Sequence, residues 1–228
     1  MTEAPHAPLL GAEPAAPVFP RALFVFTLLY GGMTVLAGIL GNKQVALGPL
    51  AVEAGIFAFL MLVVLSSSVA QLYGRKTADR LVLWGFVPLA FSIVLIPIVL
   101  ALPASVDMPA DRQAAFSLLL GSTPRIMAAG PVAYGVSLLL NVWIFQALRG
   151  KGGESGGFFM LVRGAIASAL SQVVDTLIFI SLAFYGEFPI RDLLLGQMLA
   201  KVVLSIVLVP PLIALAVAFA RRMDTRPA

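Results

Sequence analysis

The stretch LVLWGFVPLAFSIVLIPIVLAL, residues 81–102, runs without a single charged side chain. A helix rises 1.5 Å per residue, so about 20 apolar residues suffice to cross the hydrocarbon of a bilayer. A helix of this length on a soluble domain would carry a polar stripe, and this one has none. Pro88 and Pro97 interrupt it. Each removes a backbone donor and frees a carbonyl, which predicts a kinked span rather than a straight one.

The same pattern repeats on both sides. Toward the N-terminus, residues 22–40 form a first apolar run closed by the helix-stop signal Gly41-Asn42, and a second runs from about 50 to Tyr73-Gly74. Toward the C-terminus, spans are expected over 126–148, 158–184 and 193–220, the last broken near Pro210-Pro211. Between the third and fourth spans, Asp107, Asp111 and Arg112 precede a short apolar piece, 114–120, too short to span and read as an interfacial helix. The fold class expected is therefore all-α, a polytopic membrane protein of six transmembrane helices with a short interfacial helix between helices three and four. Residues 1–20, with Pro5, Pro8, Pro14, Pro17 and Pro20 among alanines, predict a disordered tail. They lack the basic start of a secretory signal. The transmembrane domain covers 21–222, and 223–228 form a C-terminal tail.

Composition agrees with lipid as the solvent: 60% of the 228 residues are hydrophobic, only 11% are charged, and the mean hydropathy is +1.01. There is no cysteine, so disulfides and thiolate chemistry are excluded. The one histidine, His6, lies in the tail, which removes the usual zinc and serine hydrolases. The net charge of +4 is scattered over short loops and makes no nucleic-acid footprint. With both termini cytoplasmic, that side holds Arg21, Arg75, Lys76, Arg80, Arg149, Lys151, Arg221, Arg222 and Arg226, against Lys43, Arg112 and Arg191 opposite. That excess is the positive-inside signature, so both ends are expected in the cytoplasm.

An ionisable residue inside a span costs about 2.5–3.5 kcal/mol on insertion scales, so each one raises a question of function. Asp175 is the sharpest case. Ser171, Gln172 and Phe179 share a broad helical face with it. The alternatives for Asp175 are an ion pair with Lys201 of the last span, a ligand anchor facing a cavity, or both. Lys43, Glu53 and Arg125 stand near helix ends, where snorkelling toward water competes with function. Ser66-Ser67-Ser68, Gly164 with Ser168, and Ala165 with Ala169 read as packing positions. Tyr134, Trp143, Phe145 and Phe179 offer rings for a planar ligand, although membrane aromatics also serve as anchors. Aligning 133–145 with 167–179 matches Ala133 with Ala167, Ser137 with Ser171 and Asn141 with Asp175. Inverted pseudo-symmetry of the kind found in transporters and chance likeness of two apolar helices both remain open.

The segments GNKQVALGPLAVEAGIFAFL, QLYGRKTADRLVLWGF, PRIMAAGPVAYGVSLLLNVWIFQALRG and SQVVDTLIFISLAFYG, in this order over roughly 25–220, resemble the queuosine precursor transporter family of bacterial inner-membrane proteins. Lys43, Tyr73-Gly74, Arg125, Ser171-Gln172 with Asp175-Thr176, and Lys201 carry the likeness. It implies six-helix carriers that work without an ATPase partner and take up 7-cyano- and 7-aminomethyl-7-deazaguanine for insertion into transfer RNA. This chain departs from the family by Ser67 and Gln71 where acidic residues are usual, and by Leu138 and Asn141 where a Gln and an Asp are common. Those departures leave Asp175 as the main deep carboxylate.

The expected site lies between helices four, five and six. Asp175 accepts from the ring N–H and exocyclic amine of a purine-like base, Lys201 is its charge partner, and Gln172 and Asn141 meet the remaining polar edge. Ser171, Phe179, Trp143, Lys43, Glu53 and Arg125 complete the set of candidates. No cofactor, metal or nucleic-acid partner is implied, the lipid bilayer is the obligatory environment, and assembly as a homo-oligomer stays open. A substrate-capture subunit of an ATP-driven vitamin-type importer is the alternative. A membrane-embedded enzyme is disfavoured, because no nucleophile–base pair or metal-ligand cluster is visible.

Overall fold

The computed structural model describes residues 20–147 and 157–225. Along the chain these form α1 (Arg21–Leu40), β1 (Gln44–Leu47), β2 (Leu50–Glu53), α2 (Gly55–Tyr73), α3 (Arg75–Ala101), α4 (Ala110–Ala147), α5 (Gly157–Phe184), α6 (Arg191–Val207) and α7 (Val209–Asp224). The stop signals act where the sequence puts them. Gly41 caps α1 by returning its N–H to the Ala37 carbonyl, and Gly74 ends α2 at φ +86°, a conformation costly for any other residue.

Three corrections to the expected fold follow from local chemistry. The described chain is mostly helical, as expected of an all-α membrane protein, with one addition: Gln44–Leu47 and Leu50–Glu53 pair as an antiparallel hairpin in the register Gln44↔Glu53, Val45↔Val52, Ala46↔Ala51, Leu47↔Leu50. Its two-residue turn is Gly48-Pro49, with Gly48 at φ +58° and proline's fixed φ following. Consequently α2 starts at Gly55, not near residue 50. The expected interfacial helix at 114–120 is not separate either, because it runs unbroken into α4 through Pro124. Thr123 gives its hydroxyl to the Leu119 carbonyl one turn back, and the Asn42 amide binds Thr123, so the polar groups at this point are satisfied with the helix intact.

The last expected span is broken as predicted. A bend of 48° separates α6 from α7 just before Pro210-Pro211, which can start a helix but cannot donate into the preceding turn. Among the described residues, α1, α2 and α3 are long and apolar enough to cross a membrane, and α6 with α7 make a fourth if the bent pair is one span.

Packing ties the helices together at both ends. At one end, Phe26 and Tyr30 of α1, Leu65 and Val69 of α2, Leu81 of α3 and Ala220 of α7 form one cluster. There Asp224 accepts from the Ala22 N–H at 3.0 Å and from the Tyr73 hydroxyl, joining α7 to the start of α1 and the end of α2. At the other end, Ile126 and Ala129 of α4 pack on Ile180 and Phe184 of α5 and Leu193 of α6. Between them Val52, Ile56, Leu60 and Val64 meet Ala200 and Val209. The outward face of α3, with Leu83, Trp84, Phe91 and Leu95 exposed, suits acyl chains rather than water.

The hairpin lies against α6 at Gly196, where an added Cβ would stand 2.0 Å from the Ala51 carbonyl oxygen. Backbone cannot yield as a flexible side chain does. Gly196→Ala is expected to cost about 1–3 kcal/mol, the range for overpacking, and to lower the melting temperature in detergent. Gly32→Ala, where nothing stands within 4 Å, is the control and should leave it unchanged or slightly raised.

Candidate functional site

Helix α5 places Asp175 and α6 places Lys201 so that the ammonium Nζ stands 2.7 Å from carboxylate Oδ2. Both side chains are inside the fold, with Asp175 8% and Lys201 4% exposed. The second oxygen, Oδ1, accepts from the Ser137 hydroxyl of α4 at 3.3 Å. Lys201 also sits over the Phe59 ring of α2, 4.6 Å from its centroid, and 5.9 Å from that of Phe179. A carboxylate, a hydroxyl and two π faces thus surround charges that hydrocarbon alone would not hold.

The pair opens onto a cavity of about 140 Å³. Pro131, Ala133 and Leu89 exemplify its mostly apolar lining; Phe59, Phe86, Tyr134 and Phe179 give it aromatic walls. Tyr30, Thr34, Ser66, Glu53, Asp175 and Lys201 supply a few polar groups. Apolar walls with sparse, fixed polar groups are what a small-molecule site requires. The expected chamber between helices four, five and six is therefore too narrow, since α1, α2, α3 and β2 also contribute walls.

Glu53 corrects the sequence reading most. Snorkelling to water predicts an exposed side chain, yet it is 4% exposed. Its Oε2 accepts the Gly55 N–H at 2.7 Å, its Oε1 accepts from Gln197 Nε2 at 2.8 Å, and its own N–H donates to Gln197 Oε1 at 3.1 Å. Gln197 is fully buried and one helical turn before Lys201, so one face of α6 presents both. Glu53 stands in β2, outside the spanning helices. Burial pushes its carboxyl up to about 7, against the Lys201 charge, the Gly55 N–H and the Gln197 amide, which all favour the ionised form.

The remaining candidates divide clearly. Phe179 lines the cavity as expected. Ser171 is buried and Gln172 half-buried, and neither is part of the lining. Trp143 is 66% exposed and turned away from the chamber, an anchor position instead of a stacking one. Lys43 is exposed, and its backbone is engaged on both sides, the N–H donating to the Leu40 carbonyl and the carbonyl accepting from the Ala54 N–H. Arg125 binds the Leu182 and Tyr185 carbonyls, both at 2.7 Å, and pairs with Glu187 at 3.3 Å, so it staples α4 to the end of α5. The side chains of Asn141, Phe145, Gly164, Ala165 and Ser168 lie outside those described.

Sequence reasoning missed Gln197, Ser137, Phe59 and Tyr30. For Gln197 a signal existed: a glutamine one turn from an intramembrane lysine, behind a glycine, in an otherwise apolar segment.

The family profile described as "Putative vitamin uptake transporter" matches residues 53–215. A protein of Bacillus subtilis (strain 168) named "Probable queuosine precursor transporter" is 29% identical over 160 residues, covering 70% of this chain and 68% of that protein. No solved structure matches the chain.

A buried pair is costly to break from one side. Lys201→Met removes the charge that balances Asp175 and is expected to destabilise the detergent-solubilised protein by about 3–5 kcal/mol. Adding Asp175→Asn should restore much of that, because no uncompensated charge remains. Thermal unfolding of both variants checks the sign.

Proposed function

The chain belongs to the vitamin uptake transporter family, and from that premise we propose that it is a secondary uptake carrier for queuosine precursors. The substrates are 7-cyano-7-deazaguanine and 7-aminomethyl-7-deazaguanine, and the cavity beside Asp175 is their binding chamber. The observation that carries this reading is the buried Asp175–Lys201 pair on the wall of an aromatic-lined cavity. A deazaguanine presents a ring N–H beside an exocyclic amine. A carboxylate has about four acceptor positions, and Lys201 and Ser137 occupy two, which leaves room for that donor pair. Tyr30, Thr34, Ser66 and Tyr134 line the same space and bring hydroxyl groups suited to the rest of the polar edge, those of Thr34 and Ser66 as acceptors because their protons go to backbone carbonyls, in place of Gln172. Phe179, Phe86 and Tyr134 suit the ring faces.

On this reading six spans cross the bacterial inner membrane, with α1 to α5 as five and the bent α6–α7 pair as the sixth. Both termini are cytoplasmic. A discontinuous span that carries a site residue near its break is a recurrent feature of secondary carriers, and it supports alternating access around a fixed chamber. The chain binds and moves its ligand without chemistry.

The test is queuosine content of transfer RNA in cells that cannot synthesise the precursor. Wild type should restore it, and Asp175→Asn combined with Lys201→Gln, which avoids a stranded charge, should not. Equal restoration by the double variant, inserted at normal levels, would remove Asp175 from recognition. Uptake by the purified protein alone in liposomes is expected, and a requirement for an added ATPase module would favour the capture-subunit alternative.

A further inference from the structure

Charge bookkeeping in the chamber leaves one carboxylate over. Asp175 and Lys201 neutralise each other at 2.7 Å. Glu53 lines the same cavity, 4% exposed, and its direct partners are a backbone N–H and a neutral amide. These stabilise a negative charge without cancelling it. The charged and titratable groups bordering the cavity with Glu53 are Lys201 on α6, Asp175 on α5, Tyr30 on α1 and Tyr134 on α4; α2 and α3 contribute none to the lining. With all carboxylates ionised the chamber therefore holds two negative charges and one positive.

We propose that Glu53 is a specificity-determining residue, selecting a purine-like base that bears a protonated alkylamine over the same ring with a neutral substituent. This rests on the carrier reading above. An alkylamine has an ordinary pKa near that of lysine, about 10.4, so it enters as a cation and supplies the missing positive charge. A cyano group supplies none. For the neutral base the surplus charge is removed only by a proton on Glu53, whose carboxyl already sits near neutrality through burial. Ammonium binding favours ionised Glu53 and so displaces that proton. The preference for the amine should grow as pH rises through about 7 and shrink as pH falls below it.

The experiment compares binding of 7-aminomethyl- and 7-cyano-7-deazaguanine to the full chain in detergent, for wild type and Glu53→Gln. Glutamine keeps an oxygen for the Gly55 N–H and nearly the same shape, at the loss of the hydrogen bond from Gln197 Nε2, which its amide nitrogen cannot accept. Wild type should bind the aminomethyl base at least about tenfold more tightly at pH 8, as expected for a charge-assisted contact. The variant should bring the two within about twofold, by weakening the aminomethyl base and by relieving the cyano base of the surplus charge. If Glu53→Gln does not fold, calorimetry of wild type at pH 7 in buffers of different ionisation heat decides: release of a fraction of a proton with the aminomethyl base, and no release or a net uptake with the cyano base, supports the proposal. An unchanged ratio in the variant, equal wild-type affinities, or equal proton release for both bases overturns it while the carrier reading stands. Failure of both bases to bind wild type overturns the carrier reading and the proposal together, and failure of the aminomethyl base alone overturns the proposal.

Discussion

Asp175 and Lys201 meet at 2.7 Å with almost no exposed surface, and the surrounding fold is arranged around that contact. Neither residue can be accommodated singly, because an ion moved out of water without a partner costs several kcal/mol. The pair therefore fixes α5 against α6 at one depth and one rotation. Ser137 extends the constraint to α4, and the Phe59 ring extends it to α2. A core made only of leucine and valine could slide by a turn with small loss. This one cannot, and the cavity beside the pair inherits its shape from that rigidity.

Much of the helical framework was legible because lipid imposes a strong rule: every backbone group in a span must be satisfied within its own helix. Apolar runs and their stops at Gly41 and Gly74 follow that rule directly. The hairpin escaped it for a physical reason. Val45, Leu47, Leu50 and Val52 are as apolar as a helix start, and hydropathy alone does not separate period two from period 3.6 over so few residues. The distinguishing mark was Gly48-Pro49 at the centre of a mirrored pattern, a turn chemistry that hydropathy averaging hides. Likewise the polar break before Pro124 looked like a helix boundary, whereas Asn42 and Thr123 absorb it without one.

The site was half legible. A lone aspartate and a lone lysine in apolar runs advertise themselves, since nothing else explains their presence. Glu53 did not, because its position next to a helix start has a cheaper explanation in snorkelling, and only the hairpin's fold back onto α6 buries it. Trp143 erred in the opposite direction: a large ring near the right place in sequence points outward. Which face of a membrane helix is inward depends on neighbours that hydropathy does not reveal.

Gln197 and Lys201 are one turn apart on α6, so the same helical face holds the hairpin through Glu53 and α5 through Asp175. A rotation or tilt of α6 that widened the chamber on either side would have to stretch at least one of these contacts. Each is a buried polar contact, so opening is costly unless something replaces the lost partner. A ligand with donors for Asp175 and a positive charge for Glu53 can provide both replacements. The bend at Leu208 separates this clamped segment from α7, which is tied to the far end through Asp224. The two proline residues at that joint cannot donate into the preceding turn, so α6 and α7 are joined by fewer helix hydrogen bonds than an unbroken helix would have, and the two segments answer to different partners.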